Sequence, residues 1–340
     1  MSSTPIVLVT GAGGFIGSHL VTKLKEKGYW VRGVDIKYPE FNETGADEFE
    51  LLDLRRWDNC LQATRDVEDV YALAADIGGM GFISSNHAQI LRNNTMINFH
   101  TLDAARVNGV KRYLYTSSAC VYPEYLQNNT DIAPLKEEDA FPAQPQDAYG
   151  WEKLITERLC LRYHEAFGIE THIVRFHNIF GPFGSWEGGR EKAPSALCRK
   201  IAVAKLTGNP EIEIWGDGEQ TRSFCYIDDC LIGIYKLIQS NFYNPINLGQ
   251  DRLVMINQLT DIIAHVAGVE IVKKHVPGPQ GVRGRNSDND LLRNVLGWEP
   301  EISLEEGLGN TYIWIVEQVR ESLLASDESK ETLAHSKIFA

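Results

Sequence analysis

The sequence predicts an α/β fold: a doubly wound parallel sheet completed by a smaller C-terminal α+β cap. Three observations carry this. Strand-like apolar runs alternate with helical spacing through the first 180 residues. The turn Thr10-Gly11-Ala12-Gly13-Gly14-Phe15-Ile16-Gly17 joins the first run to the first helical stretch, and Asp35 ends the second run. Together these are Rossmann-like, with ligands expected outside the carboxyl ends of the strands.

The first strand is the apolar run Ile6-Val7-Leu8-Val9, and His19 to Leu24 follows with helical spacing. Gly11 permits the tight turn. Gly14 lacks a Cβ, so a pyrophosphate can approach the backbone, and Gly17 lets the helix lie close on the strand. The helix start then offers unpaired N–H groups and a partial positive charge. Phe15 and Ile16 belong to the same cofactor-facing turn. The spacing is G-x-x-G-x-x-G, not G-x-G-x-x-G. A glycine triplet alone is an ordinary turn; a strand before it and Asp35 after it make the cofactor reading the stronger one. Asp35, ending Trp30-Val31-Arg32-Gly33-Val34, can accept both ribose hydroxyls of an adenosine and repels a 2′-phosphate, which favours NAD over NADP.

Phe49 to Leu54 reads as a third strand, with the Asp53 carboxylate near its end in reach of an adenine amino group. Val70 to Ala75 is a fourth, whose small last residues, Ala74 among them, leave room for a cofactor. The loop Gly78-Gly79-Met80-Gly81 either lets a sugar approach the backbone or simply turns the chain. Residues 88–108 have helical periodicity, Arg112 to Ser118 is a fifth strand, a helix starts near Asp147, and Ile173 to Phe176 is a sixth strand. Alternation breaks at Gly181-Pro182-Phe183-Gly184. Residues 1–180 are therefore read as an NAD-binding domain, rejoined by about 224–249. Residues 181–223 and 250–325 form the cap, and 326–340 a polar, frayed tail.

The formal net charge of -13 makes nucleic acid and anionic lipid surfaces poor partners, so an anionic ligand must meet a local basic pocket. Met1 to Pro5 leaves no room for a signal peptide before the first strand, and no apolar run is long enough to span a bilayer. The six cysteines form no C-x-x-C pair, which suits free thiols in a reducing cytoplasm, and no metal-ligand spacing is present.

Tyr149 and Lys153 stand four apart, one helical turn. A Lys ammonium near a phenol lowers the phenol pKa, making Tyr149 a base that takes a hydroxyl proton as hydride leaves the same carbon. Such a pair is common on surface helices; Ser117-Ser118 ending the fifth strand brings a hydroxyl to the same sheet edge. Thr10 to Gly17, Asp35, Asp53, Ser118, Tyr149, Lys153 and Asn178 resemble the extended short-chain dehydrogenase/reductase family over nearly the whole chain. The resemblance implies an NAD domain, a nucleotide-sugar domain and a homodimer built through helices near 88–108 and 149–167.

Longer motifs narrow the resemblance: Ser117 to Glu124 with Cys120, Gly188 to Pro194 with Lys192, Gly78 to Phe82, Gln220 to Phe224, and Gly281 to Asp288. They are similar to the branch that epimerises a GDP-mannose-type nucleotide sugar at C3 and C5. That likeness implies Cys120 and Lys192 as the acid/base pair, beside Ser118, Tyr149 and Lys153. As substrate contacts it implies Gly78, Ser118, Ala119, Cys120, Asn178, Glu191, Lys192, Ala193, Lys200, Gln220, Thr221, Arg222 and Arg285. Arg283 and Arg285, spaced by a glycine in an acidic chain, suit a diphosphate. Without the likeness, Cys120 reads as buried filler and Lys192 as a surface charge or a diphosphate-binding residue. A 4-epimerase would leave both idle. A 4,6-dehydratase has Asp-Glu after its Ser/Thr, where this chain has Ala119-Cys120. A non-catalytic NAD-binding regulator would be expected to lose Tyr149 or Lys153.

Overall fold

The computed structural model describes residues 5–336, with side chains to residue 325. The N-terminal residues Met1 to Thr4, and 337–340 of the expected tail, lie outside the described residues.

Seven parallel strands form one sheet. They are β1 (Ile6–Thr10), β2 (Trp30–Asp35), β3 (Glu48–Leu51), β4 (Asp69–Ala72), β5 (Arg112–Ser118), β6 (Glu170–Phe176) and an edge strand, Pro245–Leu248. Their spatial order is edge strand, β6, β5, β4, β1, β2, β3. The order reverses between β1 and β4, and that reversal opens the crevice where a doubly wound sheet binds its ligand. In the central strands alternate residues enter two cores. Val7, Val9, Tyr71, Leu114 and Val174 pack with Leu20, Leu24 and Ile234, whereas Leu8, Val70, Tyr113, Tyr115 and Ile173 pack with Leu102 and Cys160.

The first core lies under α1 (Phe15–Glu26) and α7 (Ile227–Ile238). The second lies under α2 (Trp57–Ala63), α4 (His87–Val107) and α5 (Ala148–Phe167). Asp147 caps α5 by accepting from the Gly150 N–H at 2.8 Å, and Gly168 ends it at φ +74°. α3 (Met80–Ser85) follows β4. Beyond β6, α6 (Ala193–Thr207), α8 (Ile256–Ala267) and α10 (Leu304–Ser336) pack together, while α9 (Asp290–Leu296) lies by the edge strand. Strand 211–215 pairs with 272–276, and Thr221–Arg222 runs between Val254–Met255 and Gly284–Arg285.

Several boundaries differ from the sequence reading, each for a local reason. β3 stops at Leu51, not Leu54, because Asp53 turns back to accept from the Arg55 N–H. β4 stops at Ala72, not Ala75: Thr10 Oγ1 takes the Leu73 and Ala74 N–H groups, both at 3.1 Å. The expected glycine loop becomes α3 because Gly79 O accepts from Phe82 and Ile83. Residues 326–336 continue α10 rather than fray. The sequence reading holds no counterpart of α2, α7 or α9.

Two buried histidines fix an acid dependence. His172 uses Nδ1 on Phe242 O and His177 uses Nε2 on Asn247 Oδ1, while their other nitrogens find no partner. Burial pushes His172 down to about 4 and His177 to about 3. Both stay neutral in the fold but take up protons near pH 6.5 when unfolded. Their contribution is therefore complete above pH 6.5 and is lost as pH falls toward 4, at about 1.4 kcal/mol per pH unit for each. Urea unfolding at a series of pH values should show this slope, and His172→Asn should remove one proton from it.

Candidate active site

The cofactor half is built from the glycine turn and its neighbours. Gly11 has φ +70°, and a Cβ there would meet Ala74 N at 2.9 Å, so the turn and the end of β4 touch. Gly17 rests on Gly11, where a Cβ would lie 2.0 Å from the carbonyl oxygen. The glycine forced by packing between them is Gly13, not Gly14: a Cβ on Gly13 would sit 2.1 Å from Lys37 O. Gly13 N donates to Asp35 Oδ2 at 3.0 Å and Ile36 N to Oδ1 at 2.6 Å, fastening the end of β2 to the turn. Burial raises the Asp35 carboxyl above its ordinary range, against these N–H groups.

α1 starts at Gly14 with no side-chain cap and no acidic residue in its first turn. Its positive end is therefore open to an anion at the crevice, and Asp35 stands beside it, so the turn fits the pyrophosphate and ribose of a dinucleotide. The Phe15 ring packs on His19 and Gly184, and Ile16 is half-buried behind it. Asp53 lies past β3, spanned by the Arg55 fork, with Nη2 at 2.7 Å from Oδ2; Arg55 holds its carboxyl below the usual range.

The reacting half sits at the end of β5. Ser118 Oγ accepts from Cys120 N at 3.2 Å and opens the short turn Ala119–Val121. Gly150 lets α5 lie against that turn, since a Cβ would meet Cys120 O at 2.1 Å. This approach sets Tyr149, in the first turn of α5, beside the turn that Ser118 opens. Lys153 is buried, donates to Thr116 O at 2.8 Å and lies 5.5 Å from the Tyr149 ring centre. The expected lowering of the phenol does not result from the protein's own groups. Burial pushes Tyr149 well up and Lys153 down, because both are hemmed in by protein.

Cys120 alone among the six cysteines is half-exposed; the other five are buried. Arg285 Nη1 lies 3.2 Å from its sulfur, and Arg285 Nε donates to Gln127 Oε1 at 2.6 Å. Gln127 is fully buried and gives its amide protons to the Tyr122 and Pro123 carbonyls, which fixes its oxygen toward Arg285. Nothing in the sequence marks Gln127. Lys192 precedes α6. By area the residue is exposed, and protein gathers around its amine end. Burial lowers its ammonium, opposed by the sulfurs of Cys120 and Cys230.

The remaining residues fall into two sets. Among the described residues Arg222 is met only by the Thr221, Gln280 and Val282 carbonyls, and burial lowers it to about 9, aided by Arg285. A guanidinium so placed is suited to an anion. Gln220 is buried with Oε1 unpartnered, and the Asn178 side chain donates to Ser223 O from a left-handed backbone at φ +48°. The others are already engaged. Thr221 Oγ1 donates to Thr130 O, Lys200 Nζ to Glu213 O, and Glu191 accepts from Arg199 and Gly189. Gly78 packs on Phe82, and Ala193 opens α6. Arg283 does not join Arg285: it forks onto Asp217 at the surface, with both nitrogens at 3.0 Å.

The model of the NAD dependent epimerase/dehydratase family matches residues 7–249. A GDP-mannose 3,5-epimerase from Arabidopsis thaliana is 52% identical over 95% of this chain and 85% of its own length. Among solved structures, a UDP-glucose 4-epimerase with UDP-glucose from Thermotoga maritima has a TM-score of 0.82 at 27% identity, over 92% of this chain and 99% of that one. MoeE5 in complex with UDP-glucuronic acid and NAD has a TM-score of 0.78 at 28% identity, over 92% of this chain and 99% of that one. The glycine turn, Asp35, and the Ser118, Tyr149 and Lys153 cluster thus stand on a fold and a sequence shared along nearly the whole length: the chain belongs to the NAD dependent epimerase/dehydratase family and groups within it with the GDP-mannose 3,5-epimerases.

Proposed function

We propose that the chain epimerises GDP-D-mannose at C3 and C5 to GDP-L-galactose, inversion at C5 alone giving GDP-L-gulose. The observation that carries this is a sequence 52% identical to a GDP-mannose 3,5-epimerase over 95% of the chain; Cys120 on the turn after β5, Lys192 just before α6, and Ser118, Tyr149 and Lys153 at the end of β5 and the start of α5 support it. A sugar C–H is too weak an acid for any side chain. When bound, NAD supplies a hydride acceptor for C4 and returns the hydride at the end. Tyr149 takes the C4 hydroxyl proton, helped by Ser118. With C4 a ketone, the C3 and C5 hydrogens become acidic, and Ser118 and Tyr149 stabilise the enolate oxygen. Inversion takes a proton from one face and returns one to the other, which needs two groups of different origin. Arg222 and Arg285 meet the diphosphate, and Gln220, Asn178 and Gly78 the rest of the nucleotide sugar.

The identity with the Arabidopsis enzyme supports the substrate, and the uncapped α1 with Asp35 supports NAD. We assign the chain to the cytoplasm as a homodimer. Exposed Leu91 on α4 and Trp151, Ile155 and Phe167 on α5 support pairing through those two helices. Among the described residues no helix is long and apolar enough to cross a membrane.

Turnover of GDP-mannose in deuterated water tests the reading. Label is expected at C3 and C5 of products with galactose and gulose configuration; product without label at either carbon would reject it, as would no turnover by the NAD-loaded chain.

A further inference from the structure

Resting on that reading, we propose that Arg190 is a positioning residue for Lys192: it clasps the cap loop to the NAD domain so that the amine faces the reacting carbons. The clasp has four parts. Arg190 Nη1 donates to Ile77 O at 3.1 Å and lies 3.4 Å from Asp76 Oδ1. Its guanidinium lies over the Phe82 ring, 3.9 Å from the centre, a cation–π contact. Gly79 N donates to Arg190 O at 3.1 Å. Gly79 itself has no room for a side chain, since a Cβ would sit 2.6 Å from Glu191 O.

The anchor on the NAD side is rigid. Asp76 is held by three amides of α4: Asn94 Oδ1 accepts from its N–H at 2.6 Å, and Asn93 and Gln89 donate to its Oδ2 at 3.0 and 3.2 Å. Asn93 and Asn94 are buried. On the cap side, Glu191 is tied to Arg199 of α6, whose Nε donates to Trp186 O. Residues 190 and 191 are therefore fixed between α4 and α6, and Lys192 is the next residue, its own carbonyl already bonded to Ala196 N. The groups for C4 oxidation, Ser118, Tyr149 and Lys153, lie wholly on the NAD side and do not depend on this loop. The clasp should thus govern proton transfer without governing hydride transfer.

The test separates those two steps in the NAD-loaded chain. Single-turnover absorbance at 340 nm with GDP-mannose reads C4 oxidation, and deuterium uptake at C3 and C5 reads proton transfer. Arg190→Ala removes the side-chain contacts; Gly79→Ala, with Arg190 intact, forces the loop off the NAD domain. Each is expected to lower deuterium uptake by about ten- to a hundredfold while leaving the 340 nm phase within twofold of wild type. Uptake at the wild-type rate in both variants would overturn the assignment, and so would equal loss of both signals, which marks a merely structural loop. Failure of the wild-type chain to take up label would instead sink the proposed reaction.

Discussion

Cys120→Ala should lower inversion at C3 and C5 by about a hundred- to ten-thousandfold, the usual reach of one acid/base group, while NAD binding and C4 oxidation persist. The split follows from position. Cys120 shares the 119–121 turn with Ser118 and meets its hydroxyl only through the backbone N–H, which alanine keeps. Alanine also keeps the Cys120 carbonyl against which Gly150 seats α5. What is lost is the sulfur, the atom that Arg285 Nη1 approaches at 3.2 Å. Oxidation at C4 therefore proceeds and the ketone accumulates without inverting, visible as a rise at 340 nm and as missing galactose- and gulose-configured products by NMR. Wild-type inversion by Cys120→Ala would remove the thiol from the mechanism.

How much of this was legible in the sequence depends on the range of the interaction. Strands β1, β2 and β5 show plainly because a strand buried on both faces must be a short apolar run, and their ends coincide with residues whose chemistry is also readable, Asp35 and Ser118. The ends of β3 and β4 do not show, because side chains terminate them: Asp53 locally and Thr10 from 63 residues away. Within the site, Tyr149 and Lys153 declare themselves by spacing. Cys120 and Lys192 needed the family likeness, since only the fold brings a cap loop to a sheet edge. Arg283 misled: an extended segment would put residues 283 and 285 on one face, but the chain bends at 283 before the short strand Gly284–Arg285, so one side chain reaches Asp217 at the surface and the other Cys120. Gln127 was silent because a buried amide that orients an arginine leaves no periodicity behind.

The second large effect is on stability. Glu157 of α5 and Arg175 of β6 form an ion pair 2.7 Å long whose side chains are each only 2% exposed. Burial opposes the Arg175 charge, but Glu157 and Tyr122 outweigh it and keep the guanidinium protonated. Arg175 also donates to Tyr122 OH and Glu137 O, Ser117 Oγ donates to Glu157, and Tyr122 donates to Asn247 on the edge strand. Glu157→Ala leaves a buried charge without its counter-ion and should cost about 3–5 kcal/mol, read as a lower urea midpoint. Replacing both partners, Glu157→Leu with Arg175→Met, removes the stranded charge along with the pair and should recover most of that loss. Recovery stays incomplete because Glu137 O and the Ser117 hydroxyl lose their partners. Since the pair ties the helix carrying Tyr149 and Lys153 to the strand that leads into Asn178, the single variant should also slow C4 oxidation, whereas a double variant that refolds the same packing should restore it. A loss of under about 1 kcal/mol of unfolding free energy in Glu157→Ala would show instead that water or a neighbouring acid takes over the guanidinium.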